Sequence, residues 1–397
     1  MSSPAPAAPS HLLRTHSADV TALFFSDDNE RLYSGDASGR VVVTSTRSLR
    51  AIASWAAHTD SILGVQEWAA RIITHARDHK LHVWARAAEL PRVGGAAVLA
   101  DGPAPALCYS LDLNALNYCR FSLLPQSADA DEPQALLAVP NLVESSEADV
   151  WALPSRERVH ASVGTQRTAP MFSLEGREGM KTGIIMSMHL FSAQNMEAAA
   201  SSSKQLADEL RVVCAYEDGS VTLRRYPQTG PATSVEGRGW EVLWTSKLHV
   251  EAIMAMRVSR DNRIALTVSA DHLVGRYDLS SSAPLDTRCA VYRTTHPGNG
   301  CVAIRDDGRV CAIGGWDGRV RLYSTKKLKP LGTLRYHKSG CQAVEFARSS
   351  DEQTPDDDDD EFSEAERQER SRWFAGGAKD HCVSLWTLIS FEKNEKG

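Results

Sequence analysis

The chain has 397 residues, of which 42% are hydrophobic and 7% aromatic, and its formal net charge is −6, a composition typical of globular chains. It contains no run of about 18 apolar residues, and its opening MSSPAPAAPS has neither a basic nor an apolar leader region, so neither a membrane span nor a secretory signal is expected. The balance outside one acidic stretch is only mildly basic and carries no aromatic-basic stripe, which argues against direct nucleic-acid binding.

In chain order, a short segment around His11-Leu12-Leu13-Arg14 precedes His16 and the apolar strand Val20-Thr21-Ala22-Leu23-Phe24. The turn that follows, Ser34-Gly35-Asp36-Ala37-Ser38-Gly39, has serine directly before the glycine, and Thr44 stands where later copies carry an aromatic. The next unit is complete: His58, the strand Ile62-Leu63-Gly64-Val65, Thr74, and then Asp78-HKLHV-Trp84. The same aspartate-to-aromatic spacing returns in Asp271-HLVGR-Tyr277, Asp317-GRVRL-Tyr323 and Asp380-HCVSL-Trp386, and Asp218-Gly219-Ser220-Val221-Thr222-Leu223 keeps the front half but ends on Arg224. His249 and Thr267 complete the Asp271 copy, and His337 stands before Ala343-Val344-Glu345-Phe346.

The spacing has a local cause. The aspartate opens a tight turn, the next residue takes a left-handed conformation, and the chain leaves as a strand with alternate side chains buried. Gly219 and Gly318 suit that slot, and His79, His272 and His381 fill it elsewhere, histidine being among the residues that visit the left-handed region. The repeated unit reads histidine, strand, turn, strand, aspartate turn, strand, aromatic, which is the signature of WD-type repeats.

Asp218 stands 140 positions after Asp78, too far for one repeat of about 40 to 45 residues. A degenerate blade is therefore expected there, with strands at Asn117-Tyr118-Cys119-Arg120-Phe121, Leu136-Leu137-Ala138-Val139 and Asp149-Val150-Trp151 and no turn aspartate. The expected fold class is all-β: a seven-bladed WD40 β-propeller over 9–391, with blades at 16–46, 55–86, 108–153, 180–226, 243–279, 291–325 and 332–388. The last blade lacks an outer strand, and the segment around His11 is free to supply it and close the ring.

Two insertions interrupt the pattern. Residues 192–206 are rich in Ala and Ser, and 349–371 form an acidic insertion. Stretch 351–370 holds 11 acidic and 2 basic residues, a local charge of −9, so the remainder of the chain is +3. Self-repulsion predicts a disordered, solvated loop.

The grouping of histidine, aspartate and hydroxyl resembles a catalytic triad, but it recurs in several blades where a hydrolase needs one, so a buried structural relay is the expectation. That relay comprises His58, Thr74, Asp78, Trp84, His249, Thr267, Asp271, Tyr277, Asp317, Tyr323, His337, Asp380 and Trp386. No catalytic, cofactor or metal residue is assigned. His75, His79 and His82 have the residue types of a zinc site, yet strand geometry need not bring them together. Gly176-Arg177-Glu178-Gly179-Met180-Lys181-Thr182-Gly183 departs from a phosphate loop because Met180 separates the glycine from the lysine and a strand follows. Eight scattered cysteines without a CxxC pair suit a reducing compartment. The residue before each turn aspartate projects toward one face, which places Arg77, Glu217, Ala270, Trp316 and Lys379 on a candidate partner-binding rim, with Trp316 as its anchor.

Several stretches carry a family resemblance: Ala57-His58-Thr59-Asp60-Ser61-Ile62-Leu63, Tyr216-Glu217-Asp218-Gly219-Ser220-Val221, Gly314-Gly315-Trp316-Asp317-Gly318-Arg319, Ala375-Gly376-Gly377-Ala378-Lys379-Asp380-His381, and the tail Ile389-Ser390-Phe391-Glu392-Lys393. Together they resemble the fungal ASTRA-associated protein 1 family, which is similar to guanine-nucleotide-binding-protein β-subunit-like proteins. The resemblance implies a non-enzymatic scaffold subunit of the nuclear ASTRA assembly, linked to chromatin remodelling and to assembly of phosphatidylinositol-3-kinase-related kinases. Its implied partners are a Tel2–Tti type co-chaperone, AAA+ helicase-type ATPases and such a kinase, located in the nucleus and also the cytoplasm. The alternative is a G-protein β-like signalling adaptor, although the first fifteen residues show no heptads for a γ-binding helix.

Overall fold

The computed structural model describes residues 8–87, 104–126, 132–165, 182–194, 208–227, 231–280, 285–349 and 363–388. Its strands form seven four-stranded antiparallel sheets. Blade one pairs Val20–Phe25, Arg31–Asp36, Arg40–Ser45 and Ala51–Ala56, and blade two Ile62–Trp68, Arg71–Ala76, Lys80–Ala85 and Ala106–Asp112. Blade three pairs Ser122–Pro125, Ala135–Pro140, Ala148–Leu153 and Glu157–Val163, and blade four Ile185–Gln194, Asp208–Tyr216, Ser220–Tyr226 and Glu241–Lys247. Blade five pairs Ile253–Val258, Ile264–Ser269, Leu273–Asp278 and Cys289–Arg293, and blade six Asn299–Ile304, Val310–Gly315, Arg319–Ser324 and Pro330–Arg335.

Blade seven joins the two ends of the ring. Cys341–Phe346, Trp373–Ala378 and Val383–Thr387 come from the C-terminal part, and the outer strand is His11–Leu13. His11 pairs with Leu385, Leu12 with Ser384 and Leu13 with Val383, while Cys382 donates its thiol to the Leu13 carbonyl. The result is a seven-bladed propeller closed by its N-terminal strand, as the spacing predicts.

The core is divided between the blades. The Tyr33, Val41 and Trp55 side chains of blade one pack with Ile62, Ile72 and Trp84 of blade two, and the indoles of Trp55 and Trp84 meet edge to face at 5.8 Å. Trp386 does the same between blades six and seven, against Val320, Leu322 and Leu334. Each such aromatic, fully buried, stabilises by about 2 to 3 kcal/mol.

Three expectations need correction. Ala106–Asp112, Glu241–Lys247, Cys289–Arg293 and Pro330–Arg335 are the outer strands of blades two, four, five and six, so blades three, five, six and seven do not begin at 108, 243, 291 and 332. Asn117–Phe121 is not a strand: Asn114 and Asn117 spend their side chains on neighbouring backbone groups, which builds a turn. The acidic insertion contains order as well. Its end, Glu364–Arg370, is a helix with a capping box between Ser363 and Glu366, Glu364 and Glu366 in its first turn and Arg370 in its last, which suits the helix dipole. Residues 350–362 and 195–207, Lys181 and the tail from Ile389 lie outside the described residues, and 192–194 continue the first strand of blade four.

The turn residues divide similarly. Gly39, His79, Gly219, Gly318 and His381 have positive φ, but His272 does not; its carbonyl instead accepts from both the N–H and the hydroxyl of Thr294.

Candidate functional site

In blade two the expected set converges. Both carboxylate oxygens of Asp78 lie 3.0 Å from His58 Nδ1, His58 Nε2 lies 2.8 Å from Thr74 Oγ1, and Trp84 Nε1 donates to Thr74 Oγ1 at 2.9 Å. An indole N–H only donates, so Thr74 accepts from Trp84 and passes its own hydrogen to His58 Nε2. That assigns the ring proton to Nδ1, where Asp78 accepts it. Burial pushes the His58 imidazole down to about 4 against the pull of Asp78, so it is neutral at pH 7.

Blade five repeats the arrangement: His249 Nδ1 lies 3.1 Å from Asp271 Oδ2 and Nε2 lies 2.8 Å from Thr267 Oγ1. The Tyr277 hydroxyl stands 3.5 Å from Thr267 Oγ1, a weaker contact than the indole makes. In blade seven His337 Nδ1 reaches Asp380 at 2.9 Å. There the hydroxyl comes from Ser384 on the third strand, 2.8 Å from His337 Nε2, and Trp386 donates to it at 3.0 Å. Gly376 occupies the facing position on the second strand and has no side chain to offer.

A fourth relay stands in blade one, outside the expected set. His16 Nδ1 lies 2.7 Å from Asp36 Oδ2 and Nε2 lies 2.7 Å from Ser34 Oγ. Here the aspartate sits at the end of the second strand, two residues before the turn serine, and its other oxygen accepts from the Ser38 N–H and hydroxyl. Ser34 and Asp36 share one face of their strand, so period-two alternation is the signal that would have found them.

Asp317 and Tyr323 belong to no histidine relay. Arg321 Nη2 meets Asp317 Oδ2 at 2.5 Å instead, and Ile313 fills the hydroxyl position, four residues before the turn aspartate as Thr74 is before Asp78. Tyr323 is a partly buried member of the layer around Val302 and Cys311. In blade four Arg224, at the aromatic position, is buried and donates to the Tyr216 hydroxyl at 2.8 Å. Blade three replaces the relay with asparagines: Asn141 donates to Asp149 at 2.9 Å, and Asn114 donates to the Asn141 carbonyl at 2.7 Å.

The relays are unsuited to nucleophilic catalysis. Thr74 and Thr267 are 0% exposed, Ser384 1% and Ser34 2%, so no substrate reaches their hydroxyls. The trio His75, His79 and His82 is not brought together: His75 is buried on the second strand, His79 sits in the turn, and the His82 ring stacks on His58 with centroids 4.4 Å apart. His58, Asp78 and His82 do bring their ligand atoms within 4.8 Å of one another. Stacked rings, however, direct their lone pairs side by side, and both nitrogens of His58 are already engaged, so the group does not fit a tetrahedral cation.

The rim residues separate. Trp316, 54% exposed, and Lys379 line a depression of about 580 Å³ with Met254, Gly300, Gly340 and Gln342. One side of the indole rests on glycine: a Cβ at Gly298 would stand 2.8 Å from the ring. Arg77 stacks on Tyr118 at 4.4 Å. Glu217 accepts from the Ile184 N–H, and the Ala270 carbonyl from Gly298.

Seven radial sheets, four of them with a histidine relay, define a WD-repeat β-propeller, and the family model described as "WD domain, G-beta repeat" matches residues 8–45 and 290–324. ASTRA-associated protein 1 of Verticillium alfalfae is 33% identical over 409 residues, covering 96% of this chain and 93% of its own length. The Aspergillus flavus protein of the same name is 31% identical with 96% and 98% covered, and that of Schizosaccharomyces pombe 26% identical with 96% and 98% covered. The chain belongs to the ASTRA-associated protein 1 family.

Proposed function

We propose that this chain is a non-enzymatic scaffold subunit of the ASTRA assembly, working in the nucleus in chromatin remodelling and in the assembly of phosphatidylinositol-3-kinase-related kinases. The observation that carries the reading is a likeness to proteins named for that assembly along 96% of the chain. The geometry supports it: every relay hydroxyl is buried, while an exposed indole and an exposed lysine line one depression. Such a ring holds partners on its faces and leaves chemistry to them. Its partners in this reading are the Tel2–Tti type co-chaperone, the AAA+ helicase-type ATPases and the kinase.

Affinity purification of the tagged full chain from its own cells, followed by mass spectrometry, tests the proposal. Co-recovery of Tel2–Tti subunits and a kinase is expected. Recovery of a G-protein γ chain in their place would reassign the chain to signalling.

A further inference from the structure

Eleven large hydrophobic side chains are exposed among the described residues, and four of them stand on two loops of blade three. Leu116 is 64% exposed, Tyr118 51%, Leu142 55% and Val143 87%. Leu116 and Tyr118 precede the inner strand, and Leu142 and Val143 lie in the turn between the second and third strands. These are the loops that carry the histidine and aspartate in the relay blades, so all four side chains belong to the same face as Trp316.

The loops are built rigidly. The Asn141 carboxamide oxygen accepts from the Val143 and Glu144 N–H groups, and that of Asn114 accepts from the Leu116 N–H. Asn114 then bridges to the Asn141 carbonyl, and Asn117 fastens the first loop to the Ser145 and Ile185 carbonyls. All three asparagines are buried. A network of that cost holds apolar side chains out in water, the reverse of what folding alone selects. Arg77 over the Tyr118 ring adds a pair of residue types that dominate binding hot spots.

The surrounding charge indicates the partner. Arg77 is engaged on the Tyr118 ring, whereas the Glu144 carboxylate accepts a hydrogen bond only from Ser146 and the Glu217 carboxylate only from the Ile184 N–H, and neither carboxylate meets a lysine or arginine among the described residues. We infer that the two loops of blade three dock a partner segment presenting adjacent apolar side chains flanked by lysine or arginine. This deepens the scaffold reading above and rests on it. Apolar contact supplies the affinity, and the two carboxylates select against acidic segments.

A random peptide library displayed on phage and panned against the intact chain is the test, with the double variant Leu116→Asp/Val143→Asp as its counterpart. The selected peptides are expected to pair apolar with basic residues and to bind the variant at least about tenfold more weakly, at an unchanged melting temperature. Acidic peptides, undiminished binding to the variant, or no selected peptide at all would overturn the inference. Failure of the scaffold reading looks different: the wild-type chain then recovers no ASTRA subunits from cells, whatever the peptides do.

Discussion

A Cβ placed on Gly318 would stand 2.4 Å from the carbonyl oxygen of His337, so the turn of blade six is packed against the backbone of the histidine that organises blade seven. Gly39 meets the His58 carbonyl and Gly219 the His249 carbonyl in the same way. The relays of blades two, five and seven thus fix their own blades and receive the turn of the blade before. Gly318 also has φ +74, which costs an alanine about 1 to 2 kcal/mol, and the carbonyl cannot yield without moving the His337 ring off Asp380. Gly318→Ala is expected to destabilise by about 3 kcal/mol or more. Gly308→Ala, at φ +66 with nothing within 4 Å, shows the backbone cost alone, about 1 to 2 kcal/mol. Equal losses for the two in urea unfolding would show that the contact carries no weight.

Thr74→Val keeps the shape of the side chain and removes the hydroxyl that both Trp84 and His58 use. Two buried polar groups are left unpaired, at about 1 to 3 kcal/mol each. Trp84→Phe leaves His58 paired and loses the indole's bond and part of its packing. If Thr74→Val is as stable as the wild type, the relay is not structural.

Stability is expected to fall on mild acidification. Burial holds His58, His160 and His189 down at about 4 in the folded chain, while in the unfolded chain they titrate near 6.5. Between those values the unfolded chain binds more protons, so stability is lost as pH drops from about 6.5 toward 4 and levels off below. Asp36 adds a later loss: burial opposes its charge, but the bonds from His16 and Ser38 hold the carboxyl down at about 2. The urea midpoint should trace this slope. His189→Gln, which removes one titrating group, should flatten it, and a midpoint constant from pH 7 to 4.5 would exclude the mechanism.

Trp316→Ala is expected to weaken partner capture while barely moving the melting temperature, because more than half of its surface is exposed. A large loss of melting temperature with capture intact would instead make its seat on Gly298 and Gly340 the reason for the residue.

The ring and the relays of blades two and five were legible because each aspartate stands next to the turn residue and each aromatic six positions on. Blade one hid its relay by moving the carboxylate from the turn to Asp36, which a fixed-spacing motif misses and strand alternation catches. In blade seven the hydroxyl crosses to Ser384 because Gly376 cannot supply it, a substitution visible only once the register of the two strands is known. Blade three has no histidine before its inner strand and no turn aspartate, and its asparagine network joins residues 27 positions apart, Asn114 and Asn141, with no periodicity to announce it. The helix at Glu364–Arg370 had a readable capping box, Ser363 to Glu366, obscured by the net charge of the stretch around it.

The ring holds together because its two ends share one sheet. Leu13 is 5% exposed and covers the edge of Val383–Thr387, and Ser10 exchanges hydrogen bonds with Thr387. Scanning calorimetry of the full chain beside one lacking residues 1–14 tests that closure most directly. A markedly lower, broader transition for the shortened chain is predicted, whereas a transition of the same temperature and enthalpy would contradict a ring closed by its N-terminal strand.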